Sequence, residues 1–222
     1  MSVILERPPV IQRRNGKVPP PPPPPTGGGD DDRDPAPRRP LLDNLRLATL
    51  FFIGAETMFF AGLVFAFWVL RLSAPVWPPP LQPRLPLGVT GVNTLVLLGS
   101  SVAMVAAVRA VGRRDGPVLV RRLATAAGLG VLFLVVQGYE WARLLGFGLT
   151  VTSGSYGTTF YTIIGVHGAH VFGALVWLTV MLGLAARGRF ADGWTAPVKA
   201  CAMYWHFVVA LWPLIYLSIY LL

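Results

Sequence analysis

The sequence predicts an all-α integral membrane protein, a bundle of five transmembrane helices preceded by a proline-rich tail. Two observations carry this prediction. Hydrophobic residues make up 54% of the 222 residues, which exceeds the usual share in soluble proteins. After residue 40, the apolar sequence divides into five segments of about 20 residues or more, the length needed to cross a bilayer. Because lipid offers no hydrogen-bond partners to the backbone, such spans must be helical.

Clusters of glycine, proline and charged residues separate the five apolar segments. We predict helices at residues 45–70, 87–111, 123–145, 156–186 and 197–222, which together make residues 41–222 a transmembrane domain. The basic residues lie mainly beside the segment ends, and such residues set membrane topology. With a cytoplasmic N-terminus, sixteen Lys and Arg residues lie on the inner side and three on the outer side. We therefore predict that the N-terminus is inside and the C-terminus is outside.

Residues 1–40 differ in composition from the rest of the chain. An unbroken proline run occupies residues 19–25, and three glycines and then three aspartates follow it closely. Proline runs favour a stiff polyproline helix, whereas glycines loosen the chain. We expect a disordered cytoplasmic tail, or an arm that becomes ordered on a partner.

The composition excludes several classes of function. The formal net charge of +9 does not indicate nucleic-acid binding, because the basic residues follow the membrane-topology pattern. Cys201 is the only cysteine, so the chain alone makes no disulfide and no Cys-based metal site. The sequence lacks a phosphate loop, a dinucleotide fingerprint, a zinc-protease helix and a nucleophile–histidine–carboxylate arrangement. We assign no catalytic residue and no nucleic-acid partner.

All three histidines and two glutamates lie inside the apolar segments. His167 and His170 are three residues apart in the fourth segment, so both imidazoles share one helical face. His206 lies in the fifth segment, Glu56 in the first and Glu140 in the third. Ionisable groups at membrane depth are costly, so we expect them to turn inward and pair. Three glycines near the histidines are expected to let a neighbouring helix approach closely: Gly165, Gly168 and Gly173.

The surroundings of the glutamates predict different roles. Glu56 lies midway along the first segment, where three roles are possible: a structural hydrogen bond, a contact with a lipid headgroup, or a proton relay. We expect the structural or the lipid-contact role. Glu140 precedes Arg143 by three residues and follows Gln137 by one turn, which predicts a partly hydrated Glu–Arg pair at the helix end. Trp77 is expected at the outer membrane boundary, where amphipathic rings are favoured.

Metal binding by the histidines is an alternative to interior hydrogen bonding. His167, His170 and His206 could in principle bind one metal or a haem, but such sites need ligands that converge from several helices with supporting partners. We expect no metal site. A proton-coupled transporter using Glu56 and the histidines would require internal repeats or broken helices, which the sequence does not indicate. A cytochrome b-like haem protein is a further alternative that an absorption spectrum would decide.

Six strings, in order and at consistent spacing, carry a family resemblance. They are FIGAETMFF around Glu56, WPP at 77–79, NTLVLLGSS at 93–101, VQGYEW at 136–141, the interrupted string YGTTF…GVHGAH at 156–170, and YWHFV at 204–208. Together they cover nearly all of residues 45–222, whereas the tail lies outside them. The chain resembles subunit III of the haem-copper oxidases, specifically the bacterial cytochrome c oxidase type in a five-helix form.

The resemblance implies a subunit without a redox centre in a proton-pumping terminal oxidase, which reduces O2 to water with electrons from cytochrome c. It implies that haem and copper lie in the partner subunits, and that this chain packs against catalytic subunit I, with subunit II also in the complex, and binds phospholipid. The location implied is the bacterial inner membrane. Residues 1–40 could then contact another respiratory complex. Subunit III of a quinol oxidase stays an alternative, because the electron donor docks on other subunits.

The resemblance also assigns residues. Glu56 corresponds to the in-membrane carboxylate near the lipid cleft, and we hypothesise that it contacts lipid or supports packing and does not pass protons across the membrane. The other interior polar and interfacial positions are Trp77, Gln137, Glu140, His167, His170 and His206. The family usually has an acid at the position of Val209, so a salt bridge expected there is in doubt. The first two helices of longer members are expected to be missing, with a partner in their place.

Overall fold

The computed structural model describes residues 44–77, 79 and 87–221, and the helices among them number five. They are α1 (Asn44–Ser73), α2 (Leu87–Gly112), α3 (Gly116–Gly146), α4 (Gly154–Ala186) and α5 (Ala196–Tyr216), and α5 continues as a π turn at Leu217–Leu221. Each helix is long and apolar enough to cross a membrane. The predicted all-α class with five spans is confirmed. The tail predicted at residues 1–40 lies outside the described residues.

Helix α3 begins before residue 123, so its predicted start is wrong. The Val118 amide donates a hydrogen bond to Asp115 Oδ1 at 3.1 Å, which caps the first turn. Pro117 lies in that turn, where its missing N–H is not needed by the helix. Arg121 and Arg122 directly precede the apolar segment that starts at residue 123, but both are exposed residues within the helix. The helix therefore extends past the stretch that is apolar enough to lie in lipid.

Helices α2, α3, α4 and α5 form a ring in which each packs against the next and α5 packs back against α2. Helix α1 packs on this ring from outside, mainly against α5 and also against α4. Its buried residues are Thr49, Phe60 and Phe67. Phe51 and Met58 on the same helix are 74% and 79% exposed. Most of the apolar surface of α1 is thus available to lipid or to another protein.

Two tryptophans of α5 fill the centre of the ring. Trp205 and Trp212 are among the largest fully buried side chains. Trp205 reaches across to α3, where a Cβ on Gly130 would lie 2.6 Å from its ring. Glycine is therefore required at this position for the ring to fit.

The close approach predicted for three glycines of α4 is found at one of them. A Cβ on Gly168 would lie 3.0 Å from the Trp141 ring, so this glycine lets the α3 side chain pack on the α4 backbone. The prediction is wrong for Gly165 and Gly173, where a Cβ would meet no described neighbouring atom within 4 Å. Their spacing in the sequence resembles a packing motif, but the helix surface at these two positions is open.

Replacing Gly130 by alanine should lower the thermal-unfolding midpoint of the detergent-purified chain, measured by circular dichroism. The new methyl group overlaps the buried Trp205 ring, and overpacking of this kind costs about 1–3 kcal/mol. Gly128→Ala is the matched control, because a Cβ at Gly128 of the same helix meets nothing described within 4 Å. Equal midpoints for the two variants would contradict the packing.

Candidate interior polar site

Glu56 and His170 connect α1 to α4. Glu56 Oε2 lies 3.0 Å from His170 Nε2, and the two side chains are 16% and 21% exposed. Among the described residues this oxygen has no partner with hydrogen-bond geometry, so the contact is a close ion-pair approach without alignment. The predicted pairing of ionisable groups inside the bundle is thus found for these two residues.

The other ring nitrogen of His170 limits where protons can lie. His170 Nδ1 is 2.7 Å from the Val166 carbonyl oxygen, and a carbonyl only accepts, so Nδ1 carries a hydrogen. A favourable approach of Nε2 to Glu56 then requires one proton between them, on either the imidazole or the carboxyl group. Phe60 packs edge-on against the His170 ring, with 5.1 Å between centroids, and is itself buried. The contact therefore lies in a largely apolar setting that still reaches the bundle surface.

His167 is buried in a different way. Its ring stacks on Trp212 of α5, with 5.1 Å between centroids and 21° between planes. It is 1% exposed, and neither ring nitrogen has a hydrogen-bond partner among the described residues. The hydrogen bond expected for His167 is therefore not formed within the part of the chain that the structure describes. The His167 ring is therefore positioned by close packing and by its stack on Trp212.

His206 lies on α5 and contacts α2. Its Nδ1 is 2.5 Å from Ser101 Oγ, so the interior hydrogen bond expected for this histidine is formed. Within residues 44–77, 79 and 87–221, three or more His, Cys, Asp or Glu side chains are nowhere grouped so that they could hold a metal ion.

Glu140 is buried near the end of α3 and forms the predicted ion pair. Its Oε1 is 3.2 Å from Arg143 Nη1, and the Arg143 side chain is 47% exposed. One turn earlier, Gln137 Nε2 donates to the Tyr220 hydroxyl at 3.4 Å, which connects α3 to the end of the chain. Burial of one partner and hydration of the other fits a pair at a helix end.

Trp77 lies in the segment that follows α1 and joins two helices. Its ring packs edge-on against Phe67 of α1 at 5.7 Å and against Tyr156 of α4 at 5.2 Å between centroids. This half-buried ring therefore fixes the end of α1 beside the start of α4.

Val209 lies in the hydrophobic core and is 2% exposed. An acid at this position would be buried among apolar side chains, so valine is compatible with the packing seen here.

The sequence analysis missed a set of hydrogen bonds between α2 and α5. Trp205 Nε1 donates to Ser100 Oγ at 3.1 Å, and Trp212 Nε1 donates to Thr94 Oγ1 at 2.9 Å. The Ser101–His206 contact lies beside the first of these. A signal was available on α5, because Trp205 and Trp212 are seven residues apart. Residues at that spacing lie on one helical face, two turns apart.

Replacing Thr94 by valine should lower the thermal-unfolding midpoint. The substitution keeps the shape but leaves the buried Trp212 N–H without its acceptor, which costs about 1–3 kcal/mol. Thr125→Val is the matched control. Both threonines donate to the carbonyl four residues earlier, at 2.8 and 2.9 Å, but Thr125 is exposed. A control that loses as much stability as Thr94→Val would argue against the interhelical bond.

Comparison with known proteins agrees with the resemblance read from the motifs. The family model described as cytochrome c oxidase subunit III matches residues 38–222. Cytochrome c oxidase subunit 3 of Synechocystis sp. is 33% identical over 181 residues, which cover 81% of this chain and 76% of the relative. Cytochrome c oxidase subunit 3 of Sus scrofa is 34% identical over 183 residues, which cover 80% of this chain and 69% of the relative. The probable cytochrome c oxidase subunit 3 of Mycobacterium leprae is 33% identical over 175 residues, which cover 78% of this chain and 86% of the relative.

The family match spans all five described helices, and each of these is able to cross a membrane. This chain is a multi-pass membrane protein that belongs to the cytochrome c oxidase subunit III family.

Proposed function

We propose that this chain is the non-catalytic, lipid-binding subunit of a proton-pumping terminal oxidase and stabilises its catalytic subunit. In this proposal, subunits I and II hold the haem and copper, accept electrons from cytochrome c and reduce O2 to water. The chain itself contributes a rigid helical surface and binding sites for phospholipid in the bacterial inner membrane.

The observation that carries the proposal is the use made of the interior polar side chains. Ser100 and Thr94 accept from tryptophans of α5, and Glu56 approaches His170 across the α1–α4 contact. Polar groups buried in lipid are costly unless they are paired, and pairs between helices hold the helices in register. This use of polar groups supports a scaffold role, because they connect helices and do not converge on a reacting centre.

Two apolar surfaces support lipid binding. One is the exposed side of α1. The other is a groove of about 480 Å³ between α2 and α3, and five of its lining side chains are aliphatic: Val89, Val92, Val96, Leu132 and Val136. A hydrocarbon-lined groove on a membrane-spanning surface suits an acyl chain of a phospholipid.

Glu56 has a structural role in this proposal. The pair with His170 fixes α1, which buries few of its other residues, against α4. Its 16% exposure also leaves the side chain accessible to lipid or to a partner's polar side chain.

Glu56→Gln should leave proton pumping intact in the oxidase reconstituted in vesicles, measured as protons released per electron transferred. We expect the purified complex to keep fewer phospholipids, because α1 loses its polar attachment to α4. Glu140→Gln is the control, since it removes a carboxylate whose ion-pair partner, Arg143, lies on the same helix α3. A Glu56→Gln complex that assembles normally but has lost pumping would overturn the structural role.

We also propose the topology predicted from the basic residues, with the N-terminus in the cytoplasm and the C-terminus outside. Arg113 and Arg114 follow α2, and Arg187 and Arg189 follow α4, so these exposed basic residues would share the inner side. Residues 1–40 would then be available to a cytoplasmic partner, such as another respiratory complex.

Cysteine labelling tests the topology. A membrane-impermeant maleimide should label Ser155→Cys in intact spheroplasts but label Arg189→Cys only after the membrane is opened. Both positions are exposed, and the native Cys201 is 2% exposed, so the unsubstituted chain serves as a low-background control. The opposite labelling pattern would refute the orientation.

A further inference from the structure

A cleft of about 160 Å³ lies between α3 and α4 and reaches α5. Gly138 and Ala169 are exposed at its mouth, and Phe172 beside them is 60% exposed. The buried side chains of His167, Gln137 and Trp212 line its interior. Small residues at the mouth leave room for the cleft to open on the bundle surface.

Four polar atoms of the side chains that line this cleft have no hydrogen-bond partner among the described residues: Gln137 Oε1, Trp141 Nε1, His167 Nδ1 and His167 Nε2. His167 is 1% exposed and Gln137 is 3% exposed. Leaving a buried polar atom unpaired is unfavourable, and native proteins rarely do so. Four such atoms around a single cleft indicate a polar ligand.

The chemistry of the four atoms selects the ligand. Trp141 Nε1 only donates and Gln137 Oε1 only accepts, while a neutral imidazole such as His167 has one donor and one acceptor nitrogen. The set therefore needs two acceptors and two donors from its ligand. Phosphate and ester oxygens only accept, and an ammonium group only donates. Water supplies both and commonly makes about three bonds to buried polar groups.

The position of the cleft gives water a route. Trp141 is five residues before the end of α3, which is about 8 Å along the helix. A short loop joins this end to the start of α4, so the cleft extends from near a membrane boundary toward the bundle interior. The four atoms have almost no accessible surface in this arrangement, so hydration requires a small movement of the half-buried Trp141 ring. That ring packs over Gly168, which carries no side chain to obstruct the movement.

We propose that this cleft is an internal hydration site, in which bound water bridges His167, Gln137 and Trp141. At about 30 Å³ per water molecule, its volume has room for several. The site goes beyond the scaffold and lipid-binding role, and it does not depend on that role. Water bound there would connect α3 to α4. The four polar atoms have no hydrogen-bond partner among the described residues of the protein itself.

A cryo-EM structure of the assembled oxidase at a resolution that shows ordered water tests the site directly. We expect water density within hydrogen-bond distance of His167 and of Gln137 or Trp141. His167→Phe should lose the water that contacts the ring, while its stack on Trp212 remains. His206→Phe is the control, because His206 bonds to Ser101 outside the cleft and the cleft water should persist. A dry cleft, an acyl chain or a partner side chain in it would overturn the proposal.

Radiolytic hydroxyl labelling of the same complex gives an independent readout in solution. Trp212 and Trp205 are both fully buried on α5, but only Trp212 lines the cleft. Radicals formed from bound water should therefore oxidise Trp212 severalfold faster than Trp205, and His167→Phe should reduce that difference. Equal protection of the two tryptophans in the unsubstituted complex would contradict bound water in the cleft.

Discussion

The bundle depends on satisfying polar side chains inside helices that lie in lipid. Trp205 and Trp212 are the largest fully buried side chains of α5, and each carries an N–H that needs an acceptor at that depth. Ser100 and Thr94 of α2 supply these acceptors. Each bond is made only in one register of the two antiparallel helices. The hydrogen bonds that satisfy the buried tryptophan N–H groups therefore also align α2 with α5. The position of the α3 backbone then follows from Gly130 against the Trp205 ring.

Helix α1 is attached by a different principle. It buries little of its own surface, and its contacts with the ring include the Glu56–His170 approach, Phe60 against His170 and Phe52 against Tyr204 of α5. Trp77 also packs between Phe67 of α1 and Tyr156 of α4. The exposed apolar surface of such a helix is left for lipid or another protein to cover. This fits the proposal that lipid and other subunits cover the outer side of α1, while the Glu56 side chain, 16% exposed, lies against His170.

The sequence predicted the fold class and all five spans because hydropathy alone decides whether a helix can lie in lipid. It misplaced the start of α3, since Arg121 and Arg122 end the apolar stretch but not the helix. It identified the ionisable residues but not all of their surroundings: Glu140 paired as its spacing indicated, whereas His167 stacks on Trp212 without a hydrogen bond to any described residue. Local spacing predicts contacts within one helix, while contacts between helices depend on register and packing that no short motif encodes.

We propose that the interior polar groups of this chain connect helices and carry no electrons. The most direct test of this proposal measures haem, copper and turnover in the purified oxidase before and after this chain is removed. We expect equal haem and copper per catalytic subunit and an unchanged initial turnover, followed by a faster loss of activity as phospholipid dissociates. Loss of a haem or copper equivalent together with this chain, or either group bound to the isolated chain, would contradict the account.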